Sequence, residues 1–161
     1  MKFSDREDIA LPIETVFAAV SDFGAFERRA LRRGAEISRT DPESGPGLGT
    51  VWDVEFEFRG RARSLKAKVT DFTAPTNLLV SSLSGGLKGS FSVKLVALSP
   101  RKTRLTVGLE LVPTNLSARL LVQSLKLAKS SLSKRFDQAV ADYAAALERE
   151  HGAQPPRAAN S

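Results

Sequence analysis

The residues of this chain that could do chemistry are few, and each set can be matched against the reaction it would serve. Gly45, Gly47 and Gly49 stand in the stretch GPGLGTVW, three glycines in five positions, a spacing that invites comparison with a phosphate-cradling loop. Such a loop needs backbone N–H groups aimed by a following helix, and its P-loop form has Lys-Ser/Thr after the last glycine. Here TVWDVEFEF follows, Thr50 to Phe58, with Trp52, Val54, Phe56 and Phe58 on one face of a strand. The glycines open a strand, which argues against nucleotide binding. His151 is the sole histidine. It falls beyond the last helical stretch, so neither His-based acid/base catalysis nor a His-rich metal site is expected. Asp53, Glu55 and Glu57 alternate with the apolar face and are expected in solvent, paired with lysines. Glu7 shares a face with Phe3 and Ile9, which would carry it inward, unless the first strand is a poorly covered edge. Arg63 shares its face with Phe56 and Leu65. There a guanidinium needs a carboxylate, a ligand anion or an open rim to which it can snorkel. Asn115-Leu116-Ser117 matches a glycosylation sequon and equally a helix cap, and the cap is expected.

Composition sets the frame for these residues. The chain has 161 residues, 42% of them hydrophobic, which suits one globular domain, here residues 1–150, followed by a polar, Pro-containing tail, 151–161, expected to be disordered. The absence of cysteine removes disulfides, thiol catalysis and thiolate metal sites together. No cofactor and no metal are expected. The stretch MKFSDREDIA has no apolar signal core, and no apolar run approaches the ~18 residues of a membrane span. A cytoplasmic protein is expected, with room for peripheral contact at a membrane. A formal charge of +6 favours anionic surroundings. The cluster Arg28, Arg29, Arg32, Arg33 reads as a solvated helix face. Phe23 and Phe26 beside it belong to the core side, so the stacking aromatics of nucleic-acid binding are missing.

The elements that must position these residues follow from periodicity. Lys2 to Ala10 reads as a strand. Pro12 suits a first helical position, and Val16, Phe17 and Val20 give a short helix its buried face. Gly24 is expected to break it, before a second short helix from Ala25 to Arg33 with Gly34 as C-cap. Then the period changes to alternation. Ala35–Thr40, Thr50–Phe58, Arg61–Phe72, Asn77–Ser84, Gly89–Leu98 and Thr103–Val112 read as strands. The second and third of these form a hairpin turning at Arg59-Gly60, a register that pairs Asp53 with Lys66. From Leu116 to about Arg149 nothing breaks a helix. Leu121, Leu125, Ala128, Leu132, Phe136, Ala139, Val140, Tyr143 and Leu147 stay within about 60° of one line. Such a helix would run about 50 Å along the sheet.

A strand, two short helices, a six-stranded antiparallel meander and a long C-terminal helix resemble the α+β helix-grip fold of the START/Bet v 1-like (SRPBCC) superfamily, the polyketide cyclase/dehydrase and lipid-transport group. Residues ALPIETVFAAVSDF, Ala10 to Phe23, are similar to that group's first strand-to-helix passage, and GLGTVW, Gly47 to Trp52, to its glycine-led third strand. The resemblance implies a curved antiparallel sheet of about seven strands wrapped around the long helix, with an apolar ligand between them and the glycine loop at the sheet edge near the cavity mouth. The expected function is to bind, and to transport, an apolar or amphipathic small molecule, lipid- or isoprenoid-like. Trp52, Phe56, Arg63, Phe91, Leu125, Leu132 and Phe136 are the expected ligand contacts. Two alternatives stay open. One is a cyclase- or hydratase-type enzyme, which requires a buried carboxylate or a Tyr/Arg pair in the cavity. The other is a cochaperone-like protein-interaction module, favoured by a cavity too small for a ligand. No catalytic residue is assigned.

One feature of the long helix falls outside this scheme. Leu116, Leu120 and Leu127 lie near the side opposite the core stripe, flanked by Arg119, Lys126 and Lys134, and residues 116–135 hold five basic side chains and no acidic one. Three readings remain open. A kink near Ser117 or Ser130 would let the segment bury both sides. An exposed strip would dock on an anionic membrane, or pair with a second copy as a homodimer.

Overall fold

The computed structural model describes residues 1–152, so most of the expected tail lies outside the described residues. Strand β1 (Lys2–Ile9) leads into helices α1 (Ile13–Val20) and α2 (Phe23–Arg32). Strands β2 (Glu36–Thr40), β3 (Val51–Phe58), β4 (Arg61–Thr73), β5 (Asn77–Ser84), β6 (Leu87–Ser99) and β7 (Lys102–Pro113) follow. Helices α3 (Leu116–Leu127) and α4 (Lys129–His151) end the described chain. All seven strands form one antiparallel sheet in the order β1-β7-β6-β5-β4-β3-β2. The β3–β4 hairpin has the register that alternation dictates. Asp53 faces Lys66, Trp52 faces Ala67, and Phe56 faces Arg63 across the ladder. Its two turn residues, Arg59 and Gly60, both have positive φ, 53° and 73°, the backbone twist that a two-residue hairpin needs.

Alternation divides the sheet into a wet face and an inner face. Asp53, Glu55, Glu57, Lys66, Lys68 and Lys94 are exposed. Val69, Leu78, Val93, Leu95, Leu105 and Val107 are buried beneath the helices, together with Val16, Phe17 and Val20 of α1 and Val140, Ala144 and Leu147 of α4. This core fills the half of the sheet under α1 and the C-terminal half of α4. Two bonds fasten that end. The Thr103 hydroxyl, fully buried, donates to the Leu11 carbonyl at 2.8 Å, and the Ala10 N–H donates to Glu148 at 2.8 Å.

One break falls elsewhere than the sequence places it, and a second interrupts the long helix. Gly24 does not end a helix: it lies in the first turn of α2. Asp22 makes the division, because its carboxylate accepts the Ala25 N–H at 3.2 Å and caps α2. The long C-terminal rod is interrupted at Ala128 (φ −104°, ψ 15°), between α3 and α4. Alanine itself is the best helix former, but the break lies two residues before Ser130, one of the two places where the sequence leaves a kink open. The cause is tertiary: α3 packs on β7 while α4 packs on β1, and adjacent strands of a twisted sheet diverge by about 20–25°. The break does not bury the leucine strip. Leu116, Leu120 and Leu127 are 69%, 57% and 92% exposed.

The glycine loop is closed by its own bonds. Gly45 N–H donates to Pro42 O at 2.9 Å, Gly47 N–H to Thr50 Oγ1 at 3.0 Å and Gly49 N–H to Val69 O at 3.0 Å. All three glycines have positive φ (94°, 150° and 90°), conformations that other residues reach only with strain. With each N–H engaged, the loop offers no anion cradle. Its work is to lead the chain into β3.

Candidate ligand cavity

Between the sheet and α4 lies an apolar cavity of about 230 Å3. Its floor is Phe91 and Val93 of β6 with Leu105 and Val107 of β7, all on the inner face because they are spaced by two along their strands. Its roof is Phe136, Ala139, Val140 and Tyr143 of α4, a spacing of three and four that keeps them on one helix face. Val20 of α1 and Phe26 and Arg29 of α2 border its open side: Phe26, expected on the core side, is 39% exposed and Arg29 is exposed beside it.

The polar groups at this cavity are two. The Arg29 guanidinium carbon sits 5.4 Å from the ring centres of both Phe26 and Tyr143, whose rings are 5.9 Å apart. Cation–π attraction holds this three-part stack together. Arg29 makes no ion pair with any described residue. The Tyr143 hydroxyl is pushed up to about 12, first by burial and then by the charges of Glu150 and Asp22, while Arg29 opposes the shift. It is therefore a neutral hydrogen-bond donor throughout the physiological range. The stack also walls a second space, an open groove of about 630 Å3 between α1, α2 and α4, lined by Glu14, Thr15, Asp22, Glu150 and His151 among others. Phe26, Arg29 and Tyr143 thus form the partition between an inner apolar cavity and an outer polar groove.

Tyr143 is the only tyrosine, which makes its ionisation directly readable. Phenolate absorbance should rise with a midpoint near pH 12 rather than the ordinary ~10. The raised value belongs to the folded state. Its contribution to stability is therefore complete below ~10 and is lost as pH rises through about 12. A midpoint at the ordinary value would place the ring in water.

Arg29 is positioned by a clasp on the other side of α2. Glu27 Oε2 accepts from the Trp52 indole N–H at 2.9 Å and from Arg39 Nη1 at 3.0 Å. Arg39 also meets Asp41 at 3.5 Å, and Asp41 accepts from the Thr50 hydroxyl at 3.0 Å. Trp52 further packs edge-on against Phe23, ring centres 4.9 Å apart. These bonds tie α2 to the β2–β3 edge.

Of the seven residues expected to touch a ligand, Phe91 and Phe136 come together in the inner cavity. Phe56 and Arg63 line a different, open and charged groove of about 750 Å3 beside Arg33, Glu55 and Glu57. Arg63 there donates to the Phe58 carbonyl at 3.3 Å and lies over the Phe58 ring. Trp52, Leu125 and Leu132 are half-buried and line neither of these spaces. Neither does the glycine loop. His151 is the last residue of α4, not part of a tail, and stands exposed on the rim of the outer groove. Glu7 is half-buried, and its carboxyl is held above the ordinary range by burial and by Asp5, Asp8 and Asp137. Beside it one carboxylate oxygen of Asp5 is buried without a hydrogen-bond partner among the described residues. These two acids lie on β1 and do not line the cavity. Arg29 is the residue sequence reasoning missed. In one dimension it is indistinguishable from Arg28, Arg32 and Arg33, and only the aromatic pair at three residues' distance and across the helices sets it apart.

No family model matches the sequence, and no curated protein matches it. Solved structures do. The ZhuI aromatase/cyclase from a Streptomyces species is 14% identical with a TM-score of 0.62, covering 97% of this chain and 99% of that one. A norcoclaurine synthase of Thalictrum, solved as a point mutant with a transition-state analogue, is 15% identical with a TM-score of 0.59, covering 89% and 95%. A START superfamily protein from Mycobacterium smegmatis is 21% identical with a TM-score of 0.52, covering 86% and 98%. Strand order, the paired short helices and the C-terminal helix pair against the inner face agree with this likeness, and the chain has the helix-grip fold of START/Bet v 1-like proteins.

Proposed function

We propose that the protein binds, and hands on, an apolar or amphipathic small molecule, lipid- or isoprenoid-like, in the cavity between sheet and α4. The observation that carries this reading is an apolar cavity bordered by a neutral phenol and by an exposed guanidinium that has no ion-pair partner among the described residues. An apolar cavity of roughly 150 Å3 holds a benzene ring. The space of about 230 Å3 therefore takes a ring system or a short branched chain. The remainder of a larger ligand would pass the Phe26–Arg29–Tyr143 stack into the outer groove, since whole ligand sites commonly measure about 300–1,000 Å3. Enclosure supplies affinity at ~25 cal/mol per Å2 of apolar surface removed from water. Arg29 and Tyr143 then select a carboxylate or carbonyl at the polar end.

A naphthoate and its neutral carboxamide test this division of labour. Arg29→Gln should weaken the naphthoate by about tenfold or more, because a hydrogen bond to a charged group is worth about 1.5–3 kcal/mol, and should leave the carboxamide nearly unchanged. Failure of the parent to bind either compound, or equal loss for both in the variant, would refute the reading.

The same pair supports a second reading, an enzyme of the cyclase or hydratase kind. A neutral phenol and a guanidinium are suited to a carbonyl oxygen whose negative charge grows in the transition state. That reading requires a bound ketone to be converted with time, at a rate lowered by Tyr143→Phe. The binding reading requires the bound compound to be recovered unchanged.

A further inference from the structure

We propose that α3 and the tip of the β3–β4 hairpin together form a docking surface for an anionic phospholipid membrane. At 100° per residue Leu116, Leu120 and Leu127 lie within about 40° of one another on α3, and all three are more than half exposed. The opposite side of the helix is the buried one, carried by Ala118 and Val122. Arg119 and Lys126 border the leucine strip on one flank. Ser124 lies on the other flank, about 80° from Leu116 by the same rule, and receives a hydrogen bond from Arg59 at 2.9 Å. The hairpin thereby brings a cation to the border that α3 leaves uncharged, and Phe58, 37% exposed and stacked by Arg59 and Arg63, comes with it. The N-terminus of α3 is fixed as well. Asn115 accepts the Ala118 N–H at 2.8 Å and donates to Gly85 in the β5–β6 turn at 3.3 Å. An apolar strip edged by cations on both sides, held rigid at two points, suits a headgroup layer: leucines enter the acyl boundary and the charged heads stay at the phosphates.

Charge selects the membrane over a second copy of the chain. Residues 116–135 and the hairpin tip 58–61 contain no carboxylate, so a twofold contact through this face would set the cationic borders against each other. The surface stands independently of the cavity, so its test separates from that of the ligand.

Vesicle sedimentation is that test. The parent should bind vesicles of phosphatidylcholine mixed with phosphatidylglycerol, bind phosphatidylcholine alone far more weakly, and be released by salt. Leu120→Ser with Leu127→Ser should abolish binding without lowering the melting temperature. Arg59→Gln, a change that would be invisible if α3 acted alone, should weaken it about fivefold, the worth of one cation near an anionic bilayer. The proposal is overturned if the parent ignores anionic vesicles. It is equally overturned if both variants bind like the parent, or if the leucine change only converts a parent dimer into a monomer.

Discussion

Phe136→Trp should weaken binding of an amphipathic aromatic dye by roughly tenfold or more while the protein stays folded. Phe136 is half-buried in the roof of the inner cavity, its ring 5.7 Å from that of Phe3. An indole at this position extends into space that is otherwise open to a ligand. Overpacking a filled core costs about 1–3 kcal/mol, but here the cavity absorbs the added atoms, so the melting temperature should fall little. Affinity for anilinonaphthalene sulfonate should fall by roughly tenfold or more, since ring-sized apolar area worth ~25 cal/mol per Å2 is no longer available. Leu132→Trp is the control. Leu132 is also half-buried on α4 but does not line the cavity, and its variant should bind like the parent. Equal behaviour of the two variants in a dye titration would remove the cavity from the account.

The largest effect on stability is expected from Leu105→Ala. Leu105 is completely buried on β7, where it faces Leu95 on one side and Glu7 on the other. Truncation of such a leucine costs about 2–5 kcal/mol. In a chain of this size each kcal/mol moves the melting temperature by about 2–4 °C, so a drop of several degrees or more should appear in a thermal melt. Leu105 is also the cavity floor. The variant should therefore be unstable and still bind, with more room than the parent. Dye at about a hundredfold excess over its dissociation constant should restore about 2.7 kcal/mol by mass action. A variant that melts lower and shows no recovery with dye would mean that the truncated protein does not bind the dye, against a cavity floored by Leu105.

Much of the fold was legible because it rests on local signals. Alternation from Thr50 to Phe72 set the β3–β4 register residue by residue, Asp53 opposite Lys66 included. Gly34, with φ 92°, ends α2 where a left-handed residue was needed. What could not be read rests on partners far apart in sequence. The C-terminal rod breaks at Ala128, beside Ser130 where the sequence leaves a kink open, but the divergence of two strands of a twisted sheet decides the bend. Arg29 gains its place only from Phe26 and Tyr143, and Arg59 reaches the leucine strip only through Ser124. Trp52, an expected ligand contact, spends its indole N–H on Glu27. The inner face was thus predictable as a face. Which part of it stays open was not, since that depends on where α1, α2 and α4 fill the space.

The central claim is that a small molecule enters the space between sheet and α4, and methyl chemical shifts during titration with anilinonaphthalene sulfonate test it most directly. The account predicts that the largest shifts fall on Val93, Leu105, Val107 and Val140, which line the inner cavity, with saturation at one dye per chain. Shifts confined to Val54, Leu65 and Leu83 on the hairpin side, or to the exposed Leu116, Leu120 and Leu127, would contradict it.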